Sequence, residues 1–277
     1  MSHPASPPSA RTRAFLDRLP LEREGGRQLR RLADGSVVGD WFGCELASVF
    51  QPIVDAASGR TAGFEAFLRV HGSGERELSP WALFSSNADD TRLIAFDRLA
   101  RTVHALNFIT SVQDDSLLFL NVHGRLLAAV SEDHGAAFRK VVDALGLPPE
   151  RIVIETPVGA SSQPDLLAFV LRNYRLNGFR TAVNLESIAQ WKTLATVVPA
   201  HYVKLAHHKL QPRANAANEA AVLDAIRDKA TLVLTRLEHK LAAAQPPDLL
   251  QGYAYGLPAQ RAAIAIPERF TLQCLAY

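Results

Sequence analysis

The sequence has 277 residues, 48% of them hydrophobic and 21% charged, so it can bury a substantial core and is not typical of a disordered or fibrous protein. Thirty basic and 28 acidic residues leave a formal net charge of +2, which argues against binding of the whole molecule to nucleic acid or to a charged membrane surface. There is no apolar run of about 18 to 20 residues and no apolar leader, so we expect a soluble, cytoplasmic protein. Cys44 and Cys274 lie far apart and outside any CxxC pattern, which predicts neither a disulfide framework nor a zinc site.

The first forty residues differ in composition from the rest of the chain. A Pro/Ser-rich start is followed by an Arg-rich stretch with scattered leucines. We predict a tail and one or two helices in residues 1–40, followed by one barrel domain in residues 41–277. These helices either pack on the bottom of the barrel or form an arm that binds a partner.

From about residue 45 onward, short apolar runs alternate with segments of helical period, which indicates βα units. The first two strand candidates, 49–54 and 63–70, are separated by a segment too short for a crossover helix, so they should form an antiparallel hairpin. Six more candidates each follow a plausible helix: 117–122, 151–155, 179–184, 202–205, 231–234 and 249–253. Eight strands predict an α/β fold, a TIM-like (β/α)8 barrel with an antiparallel first strand and N-terminal helices. An open doubly wound sheet is the alternative.

Polar residues interrupt or follow these apolar runs, although buried parallel strands are normally apolar. Each such residue is either a core group with its hydrogen bonds satisfied or part of a site. In a barrel, the C-terminal strand ends meet at one mouth, so seven polar residues there together favour a functional site. The residues concerned are Glu65, Asn121, Glu155, Asn184, Lys204, Glu238 and Gln251.

Several of these residues belong to motifs whose order and spacing resemble the EAL domain family over residues 45 to 270. The opening strand motif is similar to Gln51-Pro52-Ile53-Val54, and the signature glutamate strand to Glu65-Ala66-Phe67-Leu68-Arg69, with Phe67 in place of the usual leucine. Further matches are Leu120-Asn121-Val122, Ile154-Glu155, Val203-Lys204-Leu205, and Gln251-Gly252-Tyr253 with Pro258.

The resemblance implies a phosphodiesterase site from which several metal ligands are missing. Family members hydrolyse cyclic di-GMP with two hard cations. Glu65, Asn121, Glu155 and Lys204 match the family's site, whereas the other ligand positions fall at Val158, Asn184, Leu185, Ala206 and Thr235. We therefore predict a degenerate, non-enzymatic site without metal or other cofactor, in which Lys204 forms a buried ion pair with Glu155 or Glu65.

The residues that the family uses to recognise the nucleotide are better matched. They fall at Gln51, Phe67, Leu68, Arg69, Asp97, Glu238, Gln251 and Pro258. Arg69 could bind a phosphate through two parallel hydrogen bonds. Glu238 could accept hydrogen bonds from the two N–H donors on the edge of a guanine. Because strand side chains alternate, either Phe67 or Leu68 could be ordinary core, and Asp97 could instead pair with Arg101 at i,i+4.

These matches predict a catalytically inactive receptor that binds cyclic di-GMP and relays the signal to an unidentified protein partner. The alternative is an interaction module that ignores the nucleotide and uses residues 184–190 and the N-terminal helices as contact surfaces; a weak phosphodiesterase is the third possibility. The resemblance implies bacterial motility, pilus or biofilm control as the setting. The histidines lack ligand spacing, and no P-loop, dinucleotide fingerprint or nucleophile elbow suggests another enzyme class.

Overall fold

The computed structural model describes residues 9–20, 28–72, 77–80, 83–84, 89–112, 115–128, 134–198, 200–210, 212–241 and 247–262. Within these residues the helices are α1 (Ala10–Leu16), α2 (Asp90–Ser111), α3 (Gly124–Ala128), α4 (His134–Leu145), α5 (Pro164–Leu176), α6 (Trp191–Leu194) and α7 (Pro212–Arg227). The strands are β1 (Leu29–Arg31), β2 (Val37–Trp41), β3 (Cys44–Asp55), β4 (Thr61–His71), β5 (Glu77–Leu78), β6 (Leu117–Asn121), β7 (Ile152–Glu155), β8 (Arg180–Leu185), β9 (Tyr202–Ala206), β10 (Thr231–Thr235) and β11 (Leu249–Gln251).

Eight of the strands close into a barrel in the order β3-β4-β6-β7-β8-β9-β10-β11, and β11 pairs back with β3. Strand β3 is antiparallel to both of its neighbours, whereas β4 and β6 to β11 are parallel. The predicted barrel with an antiparallel first strand is therefore confirmed, and the open-sheet alternative is wrong.

The hairpin between β3 and β4 owes its tight turn to local chemistry. The Asp55 carboxylate accepts hydrogen bonds from the backbone N–H and the hydroxyl of Ser58, which is a common way for Asp to close a turn. Gly59 then takes a positive φ of 68°, a conformation that glycine adopts without steric cost. The chain thus reverses within the five residues, 56–60, that lie between the two strands.

The N-terminal region contains a hairpin that the predicted helices did not include. Only α1 is helical in the described part of residues 1–40; β1 and β2 pair with each other, and β2 pairs with the start of β3. The tail and one or two helices predicted for residues 1–40 left out these strands, in which Val37, Val38 and Trp41 bury their side chains against the barrel.

Helix α1 packs at the end of the barrel away from the strand C-termini. The Thr12 hydroxyl donates to the carbonyl oxygen of Leu145, at the C-terminal end of α4, and Leu16 is buried in the main core. This position fits the predicted packing on the barrel bottom rather than an arm extended toward a partner.

The core has an inner and an outer layer, as expected for a filled barrel. The interior holds alternating inward residues of several strands, among them Ile53, Phe119, Val153 and Val233. The outer layer lies between the strands and the helices, and it includes most of one face of α2. None of the described helices is long and apolar enough to cross a membrane. With apolar side chains filling the interior, the polar residues at the strand ends mark one mouth.

Candidate functional site

A buried lysine lies at the centre of the predicted site. The Lys204 ammonium donates to Glu65 Oε2 at 2.6 Å and to Glu155 Oε2 at 2.7 Å. All three side chains are nearly inaccessible to solvent. They come from β9, β4 and β7, whose C-terminal ends converge as the strand-end argument predicted. The expected ion pair with Glu155 or Glu65 is confirmed, and Lys204 pairs with both.

Amide side chains complete the coordination of the two carboxylates. Glu65 accepts from Asn121 Nδ2 and from Gln251 Nε2, each at 2.8 Å. Glu155 accepts from Asn184 Nδ2 at 2.8 Å, and the same amide nitrogen donates to the Thr156 carbonyl at 2.8 Å. Asn184 therefore presents N–H groups to Glu155.

The chain of contacts continues to β3. Gln251 Nε2 also donates to Gln51 Oε1 at 3.2 Å, and Gln51 Nε2 donates to the Gly256 carbonyl at 3.0 Å. The structure thus joins seven residues in one network. Five of them are buried, namely Gln51, Glu65, Glu155, Lys204 and Gln251, whereas Asn184 is half-buried and Asn121 is exposed.

The two glutamates differ in their proton affinity because their neighbours differ. Burial alone would raise the pKa of Glu65, but the Lys204 ammonium and the amide donors of Asn121 and Gln251 outweigh burial and hold this pKa below its ordinary value. Burial, followed by the negative charge of Glu65, raises the pKa of Glu155 to about 7, against the opposing effect of Lys204 and Asn184. Burial would lower the pKa of Lys204, yet the two carboxylates raise it, so this lysine stays charged.

We expect Glu155→Gln to weaken the pH dependence of stability between pH 4.5 and pH 7. The pKa of Glu155 in the folded protein, about 7, exceeds its ordinary value of 4.5, so the folded state retains a proton that the unfolded chain releases in this range. This contribution to stability is complete below pH 4.5 and is lost as the pH rises through 7. The lowered pKa of Glu65 changes stability only below pH 4.5, its ordinary pKa.

Thermal unfolding between about pH 5 and pH 8 measures this effect. The Tm of the wild-type protein should fall with rising pH by several degrees more than that of Glu155→Gln. Glu150→Gln, which replaces an exposed glutamate, should keep the wild-type slope. Equal slopes for the wild type and Glu155→Gln would contradict the raised pKa.

The residues of this network do not fit a pair of divalent cations. Among the residues that the structure describes, no group of three or more His, Cys, Asp or Glu could hold a metal ion. The ammonium of Lys204 already lies between the two carboxylates, and a second cation there would be repelled. Leu185 is buried in the apolar core and Ala206 ends β9, so neither position offers a side-chain oxygen.

Two adjoining cavities open beside the network. The smaller, about 490 Å³, is lined by Gln51, Glu238, Gln251 and Tyr253 among others, and the larger, about 870 Å³, by Leu68, Arg69 and Asp97 among others. Both are lined by Glu65, Phe67, Asn121 and Pro157. Each volume lies in the range of roughly 300 to 1,000 Å³ that is typical of small-molecule sites.

The predicted ligand-contacting residues of β4 divide between cavity and core. Phe67 is half-buried and lines both cavities. Leu68 lines the larger cavity but also packs in a core cluster with Trp41 and Phe96, so it is the one that serves as core. Arg69 lines the larger cavity, lies 3.6 Å from Glu77, and leaves 34% of its side chain exposed.

Asp97 forms the alternative interaction that the sequence left open. Its carboxylate accepts a hydrogen bond from Arg101 at i,i+4, and both side chains are buried. The pair lines the larger cavity, so the carboxylate lies at the cavity wall but is already neutralised by Arg101. Pro258 lines neither cavity; its neighbour Ala259 exchanges backbone hydrogen bonds with Phe50.

Glu238 is held next to Gln251 by a close backbone contact. The Leu237 N–H donates to the Gln251 carbonyl, and the Ala254 N–H donates to the Leu237 carbonyl. Between these bonds Gly252 has a φ of +158°, and a Cβ there would lie 2.2 Å from the Leu237 oxygen. Only glycine fits such an approach, which explains the Gln-Gly-Tyr motif in structural terms.

Some lining residues were not identified from the sequence. Arg236, with a positive φ of 58°, lines the smaller cavity. Phe84 stacks on His123 with ring centroids 4.5 Å apart, and both line the larger cavity. Nothing in the local sequence marks these residues, because their positions depend on how loops and helices pack over the barrel.

Comparison with known proteins identifies a family. The EAL domain model matches residues 42–258, and no curated protein matches the sequence. Among solved structures, the EAL domain of FimX from Pseudomonas aeruginosa bound to c-di-GMP shares 14% identity, with a TM-score of 0.63 over 78% of this chain and 91% of that one.

Two further solved structures are similar. YkuI of Bacillus subtilis, in complex with substrate c-di-GMP and calcium, shares 19% identity, with a TM-score of 0.64 over 78% of this chain and 56% of that one. The EAL enzyme Bd1971, in a form bound to cAMP and cyclic-di-GMP, shares 17% identity, with a TM-score of 0.59 over 77% of this chain. The chain spans only 62% of the Bd1971 chain. At these identities the likeness shows a common fold.

Proposed function

The chain belongs to the EAL domain family, and from this membership we propose that it binds cyclic di-GMP at the barrel mouth without hydrolysing it, as a receptor that signals to a protein partner. One observation carries the proposal. The carboxylates that could hold metal are bonded to Lys204 and to amide groups, while Phe67, Arg69 and Glu238 face open cavities.

The absence of hydrolysis follows from the donor set. Two cations held about 3.5 to 4 Å apart need oxygens that bridge them. Glu65 and Glu155 each already bind the ammonium of Lys204, and Asn184 directs N–H groups at Glu155. A site of this kind supplies no metal-bound hydroxide to attack the phosphodiester.

Binding is supported by the chemistry of the two cavities. Among the residues that the structure describes, the guanidinium of Arg69 contacts an exposed glutamate 3.6 Å away and the Leu68 carbonyl, and a guanidinium of this kind can donate two hydrogen bonds to a phosphate. Phe67 presents an aromatic ring at the junction of the cavities, where a purine could stack. Glu238 is exposed on the wall of the smaller cavity and could accept from guanine N1–H and the exocyclic amino group.

Exposed apolar side chains near the mouth supply a surface for a partner. Tyr253 is 67% exposed and Leu257 is 64% exposed. Both follow β11, the strand that carries Gln251. Glu238 is connected to this segment because its neighbour Leu237 forms a backbone hydrogen bond with Gln251. A ligand that binds Glu238 could therefore change the position of Tyr253 and Leu257. Apolar surface of this kind commonly marks a protein contact.

Calorimetric titration of the purified chain with cyclic di-GMP tests the receptor function, and we expect saturable binding. Overnight incubation with the dinucleotide and Mg²⁺ or Mn²⁺ should give no more linear product than a metal-free control. Linear product above that control would contradict the proposal that the chain does not hydrolyse cyclic di-GMP. Absence of heat at high micromolar ligand would remove the receptor function and favour the nucleotide-independent interaction module.

A further inference from the structure

Helix α5 carries two large apolar side chains on its outer side. Phe169 is 56% exposed and Leu176 is 88% exposed. They are seven positions apart in the helix, about two turns, so they lie in line along its axis. The opposite side of α5 packs on the barrel and consists of Leu167, Ala168, Val170, Leu171 and Tyr174. Since the outer side of such a helix is normally polar, two large apolar residues in line there indicate contact with another molecule.

Two charges of opposite sign lie on the same line. Asp165 is about one turn before Phe169, and Arg172 is about one turn after it. Both charged side chains are exposed, and neither forms an ion pair with any residue that the structure describes. We call Asp165, Phe169, Arg172 and Leu176 the α5 stripe. An apolar surface packed on this stripe would leave both charges unpaired, whereas a surface with the complementary order of charges would pair them.

The α5 stripe is complementary to a second copy of itself. Its members are four, three and four residues apart, a symmetric spacing, so a two-fold axis between Phe169 and Arg172 lays two stripes on each other antiparallel. Each Phe169 ring then faces the second copy's Arg172 in a cation–π contact, and Asp165 lies about one turn from the same guanidinium. A parallel arrangement would instead place like charges against each other, which is unfavourable.

The stripe is separate from the proposed nucleotide site. None of its four residues, all of which the structure describes, lines either of the two cavities at the mouth. Pairing through the stripe therefore uses no side chain that the nucleotide would contact.

We propose that the protein forms a two-fold symmetric homodimer in which the α5 stripes of the two copies pack antiparallel. Phe169 and Leu176 of each copy become buried against the other copy, and two symmetric Asp165–Arg172 pairs set the antiparallel direction. Because one pair of 13-residue helices buries less surface than a typical stable interface, we expect a dissociation constant in the micromolar range.

Sedimentation velocity of the full chain over about 1 to 200 μM, a range that brackets such a dissociation constant, tests the proposal. We expect a reversible monomer–dimer equilibrium for the wild type. Asp165→Arg and Arg172→Asp each place like charges against each other, so each should raise the dissociation constant at least tenfold. An equimolar mixture of the two variants should dimerise again, because the charges of one are complementary to those of the other.

The controls repeat the charge reversals elsewhere on the surface. Asp115→Arg and Arg98→Asp change exposed positions outside α5 and should dimerise as the wild type does. Phe169→Ser removes the aromatic ring and should weaken dimerisation at least tenfold. Because all five substitutions are at exposed positions, each variant should keep a Tm close to that of the wild type.

Three results would overturn the proposal: a wild-type chain that remains monomeric at the highest concentration, a dimer that neither charge reversal weakens, or a mixture of the two variants that stays monomeric. The second result would mean that the copies meet through another surface. Titration of the same variants with cyclic di-GMP is a separate measurement and should give the wild-type affinity, so failure of the dimer does not affect the receptor function.

Discussion

Lys204→Met should destabilise the protein by about 3 to 5 kcal/mol, the cost of breaking a buried ion pair by removing one partner. The ammonium bonds to Glu65 and Glu155 at 2.6 and 2.7 Å, so its loss leaves two carboxylates facing each other in a buried site. Both would then have to take up protons or admit water. Urea unfolding measures the change as a lower free energy of unfolding.

Two further variants identify the cause. Lys192→Met removes an exposed lysine on α6 and should change stability by less than about 0.5 kcal/mol. The triple variant Lys204→Met/Glu65→Gln/Glu155→Gln carries no buried charge at these positions and should recover a large part of the loss. A Lys204→Met protein that is as stable as the wild type would mean that the lysine is not the counterion of both carboxylates.

Arg69→Ala should weaken cyclic di-GMP binding by roughly tenfold to hundredfold, which corresponds to loss of a charged hydrogen-bond partner worth about 1.5 to 3 kcal/mol. The effect on folding should be small, because the pair with Glu77 is 3.6 Å long and partly exposed. Calorimetric titration gives the affinity, and thermal unfolding confirms that the fold is retained.

The matched control is Arg60→Ala, which removes an exposed arginine at the opposite end of the same β3–β4 hairpin and should bind as the wild type does. Glu238→Gln replaces one of two acceptor oxygens with a donor and should also weaken binding, while cyclic di-AMP, whose base lacks the guanine donor pair, should bind poorly to the wild type. Equal affinities for Arg69→Ala and the wild type would exclude the phosphate contact.

The barrel and its polar mouth could be predicted because their causes are local in sequence. Strand periodicity located all eight barrel strands, and the rule that parallel strand ends converge brought Glu65, Glu155 and Lys204 together. The short segment after Asp55 fixed the antiparallel hairpin. These inferences need only residue order and the geometry of strands.

Features that depend on packing between distant segments could not be predicted. The β1–β2 hairpin was missed because Arg30 and Arg31 interrupt the apolar alternation, and its stability comes from Asn107 of α2, whose side chain bonds both backbone groups of Val37. The larger cavity is lined by residues of both α2 and α5, which are distant in the sequence. The sequence allowed Asp97 either to contact the nucleotide or to pair with Arg101. The structure shows the pair with Arg101.

The long strand β3 sets a limit on where the chain can be shortened. It has 12 residues, about 40 Å of extended backbone, and its first residues pair on one side with β2 and on the other with β4. A truncated protein that began after Trp41 would expose the unpaired N–H and C=O groups of residues 44–46 as a free sheet edge. Such edges recruit strands from other molecules, so that fragment should self-associate, although its barrel would be complete.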